Sequence, residues 1–265
     1  MVSGLADLSQ TFETCRTQQR AALVGYLPAG YPDQHGAEQA CASLARHGAD
    51  IVEVGVPYSD PLMDGPVIQD AAHRALAAGF RFPDLLRCVE AVADAGAVPV
   101  VMSYWNPVLR YGIERFARDL DGAGGAGVIT PDLIPDEAVD WTAAMTAHEL
   151  APIFLVAPSS TDARLQQTVN ACRGFVYAAS TMGVTGARDS VGAGAEALVT
   201  RLRSVTDLPA CVGLGVSTGA QAAQVATFAD GVIVGSALVA ALGTDPEGQA
   251  LVRLTEELAE GVRRG

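Results

Sequence analysis

The chain has 265 residues, 49% of them hydrophobic and 6% aromatic, and a formal net charge of −13. That length exceeds the usual single domain but suits one α/β barrel of about 250 residues, so we expect a single domain over residues 1–265. The acidic balance, with no basic block, excludes a groove that tracks a nucleic-acid backbone or an anionic membrane.

The start, MVSGLADLSQTFETCR, lacks the basic-then-apolar order of a signal peptide. No apolar run reaches the roughly 18 residues of a membrane helix, which predicts a cytoplasmic protein. Leu5 to Arg20 reads as a polar-faced helix ahead of the first strand. Short apolar runs then recur with amphipathic segments between them: Ala22 to Leu27, Asp50 to Val54, Val98 to Tyr104, Gly127 to Thr130, Pro152 to Val156, Gly174 to Ala178, Ala210 to Gly213 and Gly231 to Gly235. Seven of them lead within a few residues into helix-like stretches. In DQHGAEQACASLARHG, for example, Asp33 is placed to cap the N-terminus and Gly48 to close the C-terminus. The loops after the second and third runs read as longer ones. The end, EGQALVRLTEELAEGVRRG, is again a polar-faced helix. Eight strand–helix units close a barrel, whereas an open doubly wound sheet usually has about five to seven strands. The expected fold is therefore α/β, a single (β/α)8 TIM barrel with an extra N-terminal helix, the terminal helices covering its bottom and outer wall.

In such a barrel the strand C-termini and the loops after them form the active face. The second strand runs into VEVGVPYSDPLMDGP, and the alternation puts Ile51, Glu53 and Gly55 on one face with Val52, Val54 and Val56 on the other. The valines suit the helix-facing side, so Glu53 points into the barrel. A carboxylate at an apolar mouth is costly to keep charged, and its pKa should rise toward a value useful for general acid/base work. The competing reading is a structural carboxylate satisfied by backbone amides or an arginine. Asp60 and Asp64 follow in a loop stiffened by Pro57, Pro61 and Pro66. Singly, each aspartate reads as a turn former; beside Glu53, they offer one carboxylate for proton transfer and another to stabilise charge.

Three glycine-rich turns, TMGVTGARDSVGAG, GLGVSTG and VGSALV, follow strands six, seven and eight, where barrel enzymes hold phosphate with backbone N–H groups. Gly186, Gly213, Gly215, Gly235 and Ser236 are the candidates, and a phosphorylated small substrate is the consequence. All 17 basic residues are arginine, which excludes a Schiff-base aldolase and a P-loop hydrolase. The five cysteines are scattered, no histidine pair has ligand spacing, and no serine or cysteine has a histidine placed to activate it. No metal site is expected. What remains is acid/base chemistry on a phosphate ester by carboxylates, with Tyr177 at the end of strand six as a further participant.

The run VEVGVPYSDPLMDGP, with GYLPAGYPD before it and GVTGAR, GLGVS and VGSALV after it, resembles the tryptophan synthase α-subunit family across essentially the whole chain. The resemblance implies retro-aldol cleavage of indole-3-glycerol phosphate to indole and glyceraldehyde 3-phosphate, a carbon–carbon lyase step in L-tryptophan biosynthesis. On it, Glu53 matches the acid/base glutamate and Asp64 the aspartate that accepts the indole N–H and stabilises charge developing on the ring. Tyr177 matches a tyrosine near that glutamate, and Thr185 the threonine of a closing loop. Gly186, Gly213, Gly235 and Ser236 match the phosphate site. Tyr26, Ile68, Met102, Ile129, Leu155, Leu214 and Ile233 fall where the family lines its indole pocket.

The resemblance also implies docking on a tryptophan synthase β subunit in an α2β2 complex, with Pro57, Asp60, Pro61 and the loop holding Tyr104, Asn106 and Pro107 on the docking side. It implies no cofactor in this chain, pyridoxal phosphate belonging to the β partner. Two departures stand out: LPAGYPD after strand one, where members often have Thr-x-Gly-Asp-Pro, and Thr181, where some carry arginine. Both touch pocket edge or closing loop and leave the acid/base groups intact. The alternatives are a free-standing indole-3-glycerol phosphate lyase and a decayed binding subunit that regulates a β partner, the latter at odds with intact Glu53, Asp64, Tyr177 and Thr185.

Overall fold

A computed structural model describes residues 4–179, 193–213, 215–245 and 247–265. Among these, nine strands form one parallel sheet: β1 (Ala22–Pro28), β2 (Ile51–Gly55), β3 (Val98–Met102), β4 (Gly127–Ile129), β5 (Ala151–Ile153), β6 (Leu155–Val156), β7 (Val176–Ala179), β8 (Ala210–Gly213) and β9 (Gly231–Val234). The pairing order is β5-β4-β3-β2-β1-β9-β8-β7-β6. Its two ends are neighbours in sequence, separated only by Phe154, so the sheet closes on itself. β5 and β6 are therefore two halves of one stave: Ile153 pairs with Ile129 of β4, and Leu155 pairs with Tyr177 of β7. Strand tilt in a closed barrel makes one stave's lower residues face one neighbour and its upper residues the other. The eight expected staves are thus all present.

Around the barrel run α1 (Gly4–Thr17), α2 (Gln34–Arg46), α3 (Pro66–Ala77), α4 (Phe82–Asp94), α5 (Trp105–Tyr111), α6 (Ile113–Gly122), α7 (Val139–Ala147), α8 (Asp162–Ala171), α9 (Ala193–Arg203), α10 (Gly219–Ala226), α11 (Ser236–Thr244) and α12 (Gln249–Val262). The Asp33 carboxylate accepts from Gly36 N–H at 2.8 Å and caps α2, while Gly48, at φ +113°, lets the chain turn out of it. One expectation fails here. The third strand ends at Met102 and only Ser103 and Tyr104 separate it from a helix, so the YWNP segment read as a loop opens α5. Pro107 is tolerated because it sits in the first turn, where backbone N–H groups have no intrahelical acceptor. The Trp105 N–H instead donates to the Asp132 carboxylate at 2.8 Å.

Two apolar cores follow from the strand alternation. Val52, Val54 and Val56 pack outward against the helices, whereas Val24, Ile51, Val100, Ile129, Ile153 and Ile233 fill the barrel interior. Leu8, Phe12 and Cys15 of α1 close that interior from below, with the Phe12 ring edge-on to Phe175 at 5.8 Å. Phe12→Ala should therefore lower unfolding free energy by about 3–5 kcal/mol, as a shift of the urea midpoint at unchanged slope. All five cysteines are buried free thiols. No helix of the described residues is long and apolar enough to cross a membrane.

Candidate active site

β2 carries Glu53 into the barrel mouth, where it is 1% exposed, and its Oε2 has no hydrogen-bond partner among the described residues. Its neighbour across the ladder is Tyr26 of β1. The Tyr26 hydroxyl lies over Gly55, where a Cβ would approach within 2.4 Å, and the Tyr177 hydroxyl lies over Gly213, where a Cβ would approach within 2.6 Å. Glycine at these two strand ends makes room for the two tyrosine rings in the barrel mouth. Burial, and then the charge of Asp64, push the Glu53 carboxyl from 4.5 up to about 8. Burial likewise drives the Tyr26 and Tyr177 hydroxyls well above the ordinary range, with both carboxylates adding to the effect. At neutral pH, Glu53 is a carboxylic acid with a proton to give.

Asp64 sits at the end of the β2–α3 loop, one residue before Gly65, the N-cap of α3. The Gln69 side chain holds its backbone by donating to the Asp64 carbonyl at 2.7 Å. Burial raises the Asp64 carboxyl, and a hydrogen bond from the Tyr104 hydroxyl opposes that rise. Tyr104 is 5% exposed, and its hydroxyl accepts the backbone N–H groups of Leu62 and Met63 at 3.1 Å each.

The expected phosphate corner is built from strand ends. Gly213 ends β8, Gly215 follows with φ +70°, and Gly235 and Ser236 form the N-cap and first residue of α11. A Cβ on Gly235 would meet the Tyr26 ring at 3.5 Å and Ile68 at 3.7 Å, so this corner opens onto two of the expected pocket residues. Ile129, Ile233 and Tyr177 share the inner core, with Met102 and Leu155 packed against it. Thr185, Gly186, Leu214 and the departure at Thr181 lie outside the described residues.

Part of the expected docking side is buried within the chain. Pro57 and Tyr104 are buried within the chain, Tyr104 because its hydroxyl is turned onto the 62–63 backbone, so neither presents its side chain outward. Asp60 and Asn106 are exposed, and Pro61 and Pro107 are partly so. Asn106 donates to the Tyr58 hydroxyl at 3.2 Å, and Leu62, which no sequence pattern singles out, stands 74% exposed beside them. The readable signal for Tyr104 is its place just past a strand C-terminus, the same rule that singles out Glu53.

A closed barrel that gathers two carboxyl groups at its active face, one on a strand end and one on the loop after it, has the layout of an acid/base enzyme. The chain matches the family model described as tryptophan synthase alpha chain over residues 12–263. It is 63% identical to the tryptophan synthase alpha chain of Mycobacteroides abscessus over 258 residues, 97% of each chain. It is also 63% identical to that of Nocardia farcinica over 263 residues, covering 99% of this chain and 98% of the relative. Among solved structures, Mycobacterium tuberculosis tryptophan synthase superposes with a TM-score of 0.93 at 60% identity, covering 97% of this chain and 98% of that one. The alpha subunit from Legionella pneumophila superposes with a TM-score of 0.88 at 30% identity, covering 99% of each. The chain belongs to the tryptophan synthase alpha chain family. Membership makes it a lyase of tryptophan biosynthesis.

Proposed function

We propose that Glu53 and Asp64 cleave indole-3-glycerol phosphate by a retro-aldol step. The Glu53 carboxyl gives its proton to indole carbon 3. Asp64, accepting the ring N–H, stabilises the positive charge that this protonation creates. The bond between carbon 3 and the side chain then breaks, its electron pair returning to the ring while the side-chain hydroxyl becomes the aldehyde of glyceraldehyde 3-phosphate. The proton released from that hydroxyl returns to the Glu53 carboxylate, so the enzyme ends as it began. The ring itself is the electron sink, which is why a chain without lysine can do this chemistry.

The observation that carries this reading is the buried Glu53, raised to about 8 beside Asp64. Such a group donates and retakes a proton near neutral pH with little thermodynamic cost in either direction. Tyr177 and Tyr26 wall the group in. Backbone N–H groups around Gly213, Gly215, Gly235 and Ser236 hold the phosphate at the α11 N-terminus. The partner is a tryptophan synthase β subunit, which supplies pyridoxal phosphate and docks on the face bearing Asp60, Leu62 and Asn106, in the cytoplasm. Steady-state indole release from indole-3-glycerol phosphate, by the purified chain alone and with a stoichiometric β subunit, tests the reading. A slow rate raised strongly by the partner supports it. A fast rate indifferent to the partner makes the chain a free-standing lyase, and no rate in either condition overturns the assignment.

A further inference from the structure

Tyr104 belongs to a different strand–helix unit from the carboxylate it meets: it follows β3 and N-caps α5, while Asp64 ends the loop after β2. Its side chain makes no capping bond to its own helix. The hydroxyl oxygen is instead occupied by two N–H donors, from Leu62 and Met63, each at 3.1 Å. A phenolic oxygen that accepts twice has its remaining capacity in its own proton. That proton is the one the neighbouring Asp64 carboxylate accepts. The ring is fixed from behind by Tyr58, with centroids 5.3 Å apart. One hydroxyl therefore pins the backbone just before Asp64 and orients its side chain.

We infer that Tyr104 is a positioning residue for Asp64, a staple between the second and third strand–helix units that holds this carboxylate where the ring N–H of the substrate must meet it. The inference rests on the proposed function for what Asp64 does, and Tyr104 acts through Asp64 without touching substrate. The hydrogen bond favours the charged carboxylate and offsets part of the burial that raises it.

The test is Tyr104→Phe in the full chain, assayed alone and with the β subunit. The variant keeps the ring and its contact with Tyr58. Loss of a charge-assisted hydrogen bond should lower kcat by about 10- to 100-fold with KM held within about threefold. Because the lost bond favoured the carboxylate, Asp64 should protonate at higher pH, and the acid limb of the kcat profile should move upward. In an Asp64→Asn background, Tyr104→Phe should add less than about a twofold loss, since the group it serves is gone. Wild-type kcat with an unmoved acid limb, or a full additive loss on top of Asp64→Asn, would overturn the assignment. Direct titration of Asp64 by carboxyl 13C NMR decides the contact independently of turnover: a higher value in Tyr104→Phe supports it, and an unchanged value rejects it. If the wild-type chain released no indole, the functional reading would fail while this titration still judged Tyr104.

Discussion

Glu53→Gln should bind a phosphate-bearing substrate analogue as the wild type does, and should lose about 1,000-fold or more in kcat for indole release. The amide keeps the shape of the side chain and cannot give up or retake a proton. The same substitution should stabilise the fold at alkaline pH. Below about pH 4.5 the carboxyl is protonated whether the chain is folded or not, and burial costs no ionisation. As pH rises from 4.5 to about 8, the unfolded chain releases a proton that the folded chain keeps, so stability falls, and above about 8 the loss is complete. At about 1.4 kcal/mol for each tenfold change in acidity, the whole loss comes to about 5 kcal/mol. Urea midpoints of wild type and Glu53→Gln should therefore diverge between about pH 4.5 and pH 8, with the variant the more stable. A wild-type turnover in the variant, or midpoints that stay parallel across that range, would refute the assignment of Glu53.

Asp64→Asn carries the second large effect. The carboxylate is asked to stabilise positive charge on the indole ring, which is absent from bound substrate and grows toward the transition state. Its loss should thus appear in kcat, by about 100- to 1,000-fold, with little change in KM. An asparagine retains the size and one acceptor oxygen, and Gln69 still holds its backbone carbonyl. A rise in KM with kcat intact would mean that Asp64 binds the ground state, and its proposed electrostatic role would fall.

Much of this site is legible in the amino-acid sequence alone. The alternation of Ile51, Glu53 and Gly55 against Val52, Val54 and Val56 is local, and the two apolar cores divide along it. The eight apolar runs likewise contain the barrel. The break in the fifth stave is not legible, because Pro152 to Val156 is one continuous apolar run and the switch of partners at Phe154 comes from barrel tilt. Helix α5 is hidden by Asn106 and Pro107, which read as loop residues yet are harmless in a first helical turn. The contacts of Tyr104 are hidden from the sequence for a related reason. Its function depends on N–H groups of Leu62 and Met63 some forty residues away in sequence, and no periodicity within its own segment records them.

The central claim is that a neutral carboxyl group, buried in an apolar barrel mouth, drives a lyase reaction without lysine. Its most direct test is the infrared difference spectrum between wild type and Glu53→Gln, followed against pH to isolate the protonated carboxyl band of this one residue. The band should persist through neutral pH and disappear with a midpoint near 8. A midpoint at the ordinary 4.5 would show Glu53 ionised at neutral pH and would contradict the account.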